Sequence, residues 1–243
     1  MKKQIMILMV ALMAVTGATA ETSKELYIQK TTNPQGQLVW QTYVQPDGSP
    51  AMAEDLGYAT LKKTYDEAGN VLEETYYDAS GAPVNTVAGY HAIQRTYDEE
   101  NHLLSMRYLD TAENEIAAND RYSSFTRTYD EAGNVTEEQY FFLGTPVKCN
   151  AGYASVRRKY DENKKVIYEA WFDEEGNPTA LKDAYAAVER GYDDAGNVNH
   201  EKYYGTEGEP ILCNGGYAST RRVYNEKKQM YENALSDERE GRF

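Results

Sequence analysis

One stretch of sequence recurs along most of this chain, and that recurrence limits the fold more than any other feature. Aligned on a shared Gly-Tyr, the copies read GYATLKKTYDEAGNV from Gly57, GYHAIQRTYDEENHL from Gly89, RYSSFTRTYDEAGNV from Arg121, GYASVRRKYDENKKV from Gly152, AYAAVERGYDDAGNV from Ala184 and GYASTRRVYNEKKQM from Gly216. Their first tyrosines, Tyr58, Tyr90, Tyr122, Tyr153, Tyr185 and Tyr217, are spaced by 32, 32, 31, 32 and 32 residues. The tyrosines of the Tyr-Asp step keep the same spacing: Tyr65, Tyr97, Tyr129, Tyr160, Tyr192 and Tyr224 are structural repeat positions. A Gly-x-Pro step recurs in register at Gly81/Pro83, Gly144/Pro146, Gly176/Pro178 and Gly208/Pro210. A period in this range marks an array whose units bury their apolar faces only against one another.

Each copy carries two turn signals flanking short runs rich in Tyr, Thr and Val. Asp-Glu-Ala-Gly-Asn at 66–70 and 130–134 places Gly where a hairpin turn requires positive φ. Asp-Ala-Ser-Gly-Ala-Pro at 78–83 supplies a second turn, and its Pro cannot donate to a sheet ladder. Between them VLEETYYD is too short and too rich in tyrosine for a helix. The predicted fold is all-β: an elongated tandem repeat of stacked β-hairpins, about six units of 32 residues, occupying 57–243 with starts near 57, 89, 121, 152, 184 and 216. Residues 21–56 form a degenerate leading copy, with Gln35-Gly36-Gln37-Leu38 and Pro46-Asp47-Gly48-Ser49-Pro50. The segments after each Pro (VNTVA, VKCNA, TALKDA, ILCNG) fit either a third strand or a linking turn.

Alternation along the first strand predicts two faces. Tyr58, Thr60, Lys62 and Thr64 fall on one side; Ala59, Leu61, Lys63 and Tyr65 fall on the other. The Leu61 position becomes Ile93, Phe125, Val156, Val188 and Thr220, so that side faces the core. The Lys63 position stays basic as Arg95, Arg127, Arg158, Arg190 and Arg222, and the return strand carries Glu74, Glu138, Glu169 and Glu201. A hairpin turned at Gly69 sets the two columns opposite each other, which predicts cross-strand ion pairs. The competing use of the basic column is a ladder for an anionic polymer.

Aromatic pairs recur as Tyr76-Tyr77, Tyr140-Phe141, Trp171-Phe172 and Tyr203-Tyr204. Neighbouring strand residues point to opposite faces, so one ring of each pair enters the core while the other meets solvent or the next unit. The rings serve either as a packed ladder or as a platform for sugar faces or a quaternary ammonium. Under the second reading the ligand-binding candidates are Trp171, Tyr203, Tyr140, Tyr108 and Tyr76.

The YDEAGN and YDDAGN segments resemble the Tyr-Asp repeats of bacterial YD/RHS proteins, which implies extended hairpin sheets on a secreted protein. The layout YYDASGAPVNTVAGY is similar to the tyrosine-rich hairpin repeats of choline-binding and cell-wall-binding modules. That second resemblance implies aromatics of neighbouring hairpins that bind choline or glycan. Together the two cover most of residues 57–240.

The remaining features bound location and chemistry. Residues 1–20 have the form of a signal peptide: Lys2 and Lys3, an apolar run from Ile5 to Val15, and Ala18-Thr19-Ala20 before Glu21. The run is too short to span a bilayer, so the expectation is a secreted protein, extracellular or periplasmic, without membrane insertion after cleavage. Removing Lys2 and Lys3 takes the charge from −14 to −16, which disfavours nucleic acid as a partner. Nearly every polar residue has equivalents in other copies, whereas catalysis needs one asymmetric constellation; no enzyme is expected. His91, His102 and His200 stand at three different repeat positions and form no ligand ring, so no metal and no cofactor are expected. Cys149 and Cys213 share a repeat position two units apart, a poor separation for a disulfide. The expected partner is an extended glycan or cell-wall polymer; the alternative is a structural or protein-interaction rod, a surface spacer or adhesin, meeting another surface protein.

Overall fold

The computed structural model describes residues 5–8, 25–118, 121–225, 227 and 229–237. The Ala18-Thr19-Ala20 cleavage pattern lies outside these residues. Among the described residues the regular structure is all strand, in two compact units, 1–119 and 120–243. The first unit holds β1 (Ile5–Leu8), β2 (Tyr27–Thr32), β3 (Leu38–Val44), β4 (Thr60–Tyr65), β5 (Val71–Tyr77), β6 (Ala92–Tyr97) and β7 (Leu103–Leu109). In the second lie β8 (Ser124–Tyr129), β9 (Val135–Phe142), the two-residue β10 (Thr145–Pro146), β11 (Ser155–Tyr160) and β12 (Val166–Phe172). It continues with β13 (Ala187–Tyr192), β14 (Val198–Tyr204), β15 (Ser219–Tyr224) and β16 (Met230–Ser236).

Within each unit the strands pair antiparallel in chain order, with β10 folded back on β9. The two strands of a hairpin align six residue pairs, as from Thr60↔Tyr77 to Tyr65↔Val71, with a slip before the last. Successive hairpins share only three aligned pairs, as in Glu73↔Gln94, Glu74↔Ile93 and Thr75↔Ala92. So short a ladder needs side chains to hold the units together.

Each repeat is closed by turns of one design. Asp66 N–H donates to Asn70 O at 3.0 Å and Gly69 N–H to Asp66 O at 3.2 Å. The same pattern is drawn by Asp78 with Ala82 and Gly81, and by Thr86 with Tyr90 and Gly89. The fourth residue of each turn is left-handed, at φ +97° for Gly69, +84° for Gly81 and +92° for Gly89. The post-proline segment is therefore a linking turn: one bridge, Tyr77↔Pro83, and one bond, Val84 N–H to Tyr76 O, then the chain leaves the sheet. The 31-residue spacing also has a local cause. Leu143 and Gly144, at φ +50° and +78°, make a two-residue turn between Phe142 and Thr145 where other copies use the longer one. Both central residues at positive φ is the hairpin geometry that matches strand twist.

Leu61, Ile93, Phe125, Val156 and Val188 are buried, as their column requires. The residue after each first tyrosine, Ala59, His91, Ser123, Ala154, Ala186 or Ala218, is buried too. One expectation is corrected. Tyr58 packs on the Leu61 side, with its ring 4.8 Å from that of Tyr76, the cross-strand neighbour of Leu61. It precedes the first residue of β4 and follows the left-handed Gly57, so strand alternation does not extend back to it.

Candidate functional site

The Leu61 side of each unit carries three periodic arrays. The first is aromatic. In the first unit Tyr43, Tyr58, Tyr76, Tyr90 and Tyr108 follow one another with centroids 4.7–5.9 Å apart. In the second unit Tyr122, Tyr140 and Tyr153 form one run, and Trp171, Tyr185, Tyr203 and Tyr217 another. Rings from the linking turn alternate with rings from the return strand, so each contact joins a turn to a hairpin or one hairpin to the next. Tilted and edge-on packing at these distances adds to the area buried.

The second array is ionic. Lys63 and Glu74 are directly opposite, as are Arg127 and Glu138, Arg158 and Glu169, and Arg190 and Glu201. Glu169 and Glu201 each serve two cations. Glu169 lies 2.9 Å from Arg158 and 3.4 Å from Arg190; Glu201 lies 3.3 Å from Arg190 and 2.8 Å from Arg222. In the first unit Glu74 likewise joins Lys63 to Arg95. Tyr76, Tyr140 and Tyr203 donate their hydroxyls to Glu74, Glu138 and Glu201, two residues before them on the same face. Burial, with those carboxylates adding to it, holds the three phenols well above the ordinary tyrosine range.

The third array is the set of Tyr-Asp tyrosines. Beside each, the register slips by one residue, as between Thr64 and Tyr65. The extra residue lies on the return strand, as at Leu72, and such a bulge sharpens the local twist. Five of these hydroxyls donate to a carbonyl at the corresponding bulge of the preceding hairpin. Tyr65 reaches Leu38 O at 2.7 Å, Tyr97 Val71 O at 3.1 Å, Tyr160 Val135 O at 2.8 Å, Tyr192 Val166 O at 2.8 Å and Tyr224 Val198 O at 3.1 Å.

The five residues nominated as ligand-binding, Trp171, Tyr203, Tyr140, Tyr108 and Tyr76, all lie in the aromatic array and are 5–9% exposed. Tyr76 and Tyr108 share one run through Tyr90, Trp171 and Tyr203 share another through Tyr185, and Tyr140 lies in the run of Tyr122 and Tyr153; none of the five presents an open ring face. Cys149 and Cys213 are free thiols set against ladder tyrosines. His91 is buried with Nδ1 3.3 Å from Val84 O, and His102 Nδ1 is 3.0 Å from Asp98. Ligand atoms of Asp98, Glu100 and His102 fall within 4.8 Å of one another. His102 stands where Asn70, Asn134 and Asn197 stand, and it closes the same Asp turn that they close. What the sequence pattern did not reveal is the second duty of Glu74, Glu169 and Glu201, to the following hairpin. The signal was present, since the basic column continues at Arg95 and Arg222, where the opposite residues are Met106 and Asn233.

The opposite face is polar, and four of its cross-hairpin pairs are chemically matched. Lys62 lies over the Trp40 ring at 5.5 Å, Gln94 donates to Glu73 at 2.7 Å, and Arg157 binds Glu137 at 2.8 Å. Glu189, opposite Tyr168, accepts from Tyr204 at 2.9 Å. Tyr204 is pushed up to about 12 by burial and by that carboxylate.

No family model and no curated protein matches this chain. Among solved structures it is similar to the complex TcdB2-TccC3 without its hypervariable C-terminal region, at 13% identity and TM-score 0.39, covering 98% of this chain and 12% of that one. A second is the Photorhabdus luminescens Tc holotoxin pore carrying a TccC3 mutation, at 12% identity and TM-score 0.34, covering 96% and 13%. The chain thus spans about an eighth of the length of these proteins, and the likeness carries no functional argument.

Proposed function

We propose that this chain is a secreted, non-catalytic structural repeat that presents a stiff hairpin sheet to protein partners. The observation carrying this reading is that the periodic residues are used up in joining one hairpin to the next. Aromatic rings, ion pairs and Tyr-Asp hydroxyls all act across hairpin boundaries. An aromatic platform for glycan would need ring faces open to solvent, and the five nominated rings are buried. The scaffold reading is therefore preferred over polymer binding through the ladder.

Two measurements test it. The purified protein, mixed with insoluble peptidoglycan, cellulose or chitin, should stay in the supernatant; retention abolished by Trp171→Ala with the fold intact would restore the platform reading. The export component predicts that the protein recovered from outside the cytoplasm begins at Glu21. Recovery only from cytoplasm, with Met1 intact, counts against it.

A further inference from the structure

On the polar face of the second unit, one cross-hairpin pair breaks the matching rule. Arg221 of β15 is directly opposite His200 of β14, a basic group facing a basic group. The equivalent pairs are Lys62 with Trp40, Gln94 with Glu73, Arg157 with Glu137 and Glu189 with Tyr168. Directly opposite residues on one face interact most strongly, and neither residue directly opposite Arg221, His200 or Ala234, is a carboxylate. Among the described residues the Arg221 side chain makes no hydrogen bond or ion pair, and the residue is exposed. Lys202, two residues beyond His200, lies on the same face directly opposite Glu189.

The neighbourhood is adapted to this arrangement. Gly191 is opposite His200, in a column otherwise filled by Thr64, Thr96, Thr128, Lys159 and Val223. A Cβ on Gly191 would collide with His200 Cε1, so the glycine is what lets the imidazole lie across β13. His200 Nδ1 is 3.1 Å from Asn199 Oδ1, which fixes the ring. A cavity of about 740 Å³ opens here, lined by His200, Lys202 and Arg221 together with Ser219, Val223 and Ala234. That volume is in the range of small-molecule sites and far exceeds a single inorganic ion. The two carboxylates in its lining are already committed, Glu201 to Arg190 and Arg222 and Asp193 to Asn197.

We infer that the polar face of β14–β16 binds a carboxylate-bearing saccharide of the uronic acid class, its carboxylate held between Arg221 and His200. Arg221 supplies the planar two-donor fork that suits a carboxylate. Ser219 offers a hydroxyl to ring hydroxyls, and Val223 and Ala234 offer small apolar surface to a sugar's C–H face. This site is separate from the buried ladders, so it stands or falls independently of the scaffold reading.

The test is a titration of the intact isotope-labelled protein with sodium glucuronate, against glucose, sodium phosphate and sodium chloride at matched ionic strength, read by NMR. The His200 ring and Arg221 side-chain signals should shift saturably with glucuronate and not with glucose or chloride. Arg221→Gln should bind about tenfold more weakly, the loss of one charge-assisted hydrogen bond, with an unchanged melting temperature. Arg221→Lys, which keeps the charge without the fork, should fall between the two. Shifts that do not saturate, that chloride reproduces, or that survive intact in Arg221→Gln overturn the proposal. Saturation by phosphate alone overturns the carboxylate assignment.

Discussion

Tyr192 donates its hydroxyl to the backbone carbonyl of Val166 at 2.8 Å, across the boundary between two hairpins. The carbonyl lies at a register slip, where regular pairing between strands is interrupted. Tyr192→Phe keeps the ring and removes the donor, so it should cost about 1 kcal/mol, the net worth of one such bond. Urea denaturation of the variant checks this; an unchanged midpoint would mean that water satisfies Val166 equally well.

Glu169 is clasped by Arg158 and Arg190, with side-chain exposures of 17–22%. Glu169→Gln should destabilise by about 2 kcal/mol, between the ranges for exposed and buried pairs, because two guanidinium groups are left facing each other. Glu174→Gln, which breaks the open pair with Lys148, should cost under about 0.5 kcal/mol. Equal losses in the two variants would refute the ladder's special weight.

Thr220 occupies the apolar column of Leu61, Ile93, Phe125, Val156 and Val188, and its hydroxyl is buried without a partner. Thr220→Val keeps the shape and removes that group, so stability should rise by about 1 kcal/mol. Thermal unfolding measures it.

Lys164 and Ala184 hold left-handed backbone, at φ +61° and +72°, at positions that are glycine in other copies, Gly69, Gly133 and Gly196 for the first and Gly57, Gly89, Gly152 and Gly216 for the second. Lys164→Gly and Ala184→Gly should each stabilise by about 0.5 kcal/mol, the left-handed penalty less the chain entropy of glycine. Gly176→Ala, at φ +82° with open space around it, should cost about 1 kcal/mol. A shared sign among the three would show that side-chain contacts, not backbone strain, decide these sites.

The buried phenols make alkaline stability a further test. Tyr76, Tyr140 and Tyr203 are held above the ordinary tyrosine value in the folded state, so folding favours their protonated form. The stability tied to them is complete below the unfolded tyrosine pKa of about 10 and falls as pH rises beyond it. Tyrosinate absorbance in the native protein should lag behind that of the urea-unfolded chain above pH about 10, then catch up in one cooperative step at unfolding. Coincident curves would show that the rings are open to solvent.

Hairpins, turns and the apolar column were legible from the sequence because they depend on local rules: glycine at positive φ and alternation by two. The cross-strand pairing of Lys63 with Glu74 followed from placing the turn at Gly69. Tyr58 was misplaced because alternation was extended through a residue that belongs to the turn. The fate of the rings was harder, since Trp171 in a packed ladder and Trp171 on an open platform have the same spacing. Only the approach of Tyr185, at 5.7 Å, decides between them. The Arg221–His200 opposition was invisible for a related reason: it depends on register between hairpins, which no turn fixes.

The shortened turn at Leu143 and Gly144 bears on how such a chain tolerates change. A residue deleted within a strand inverts the sidedness of the rest of that strand, sending ladder tyrosines and arginines to the wrong face. Deleted at a turn, it is absorbed before the next strand starts, and beyond the gap Val156 and Arg158 still align with Trp171 and Glu169. Length variation is thus tolerated at the turns and penalised in the strands, so related arrays should drift in period while keeping the phase of their buried columns.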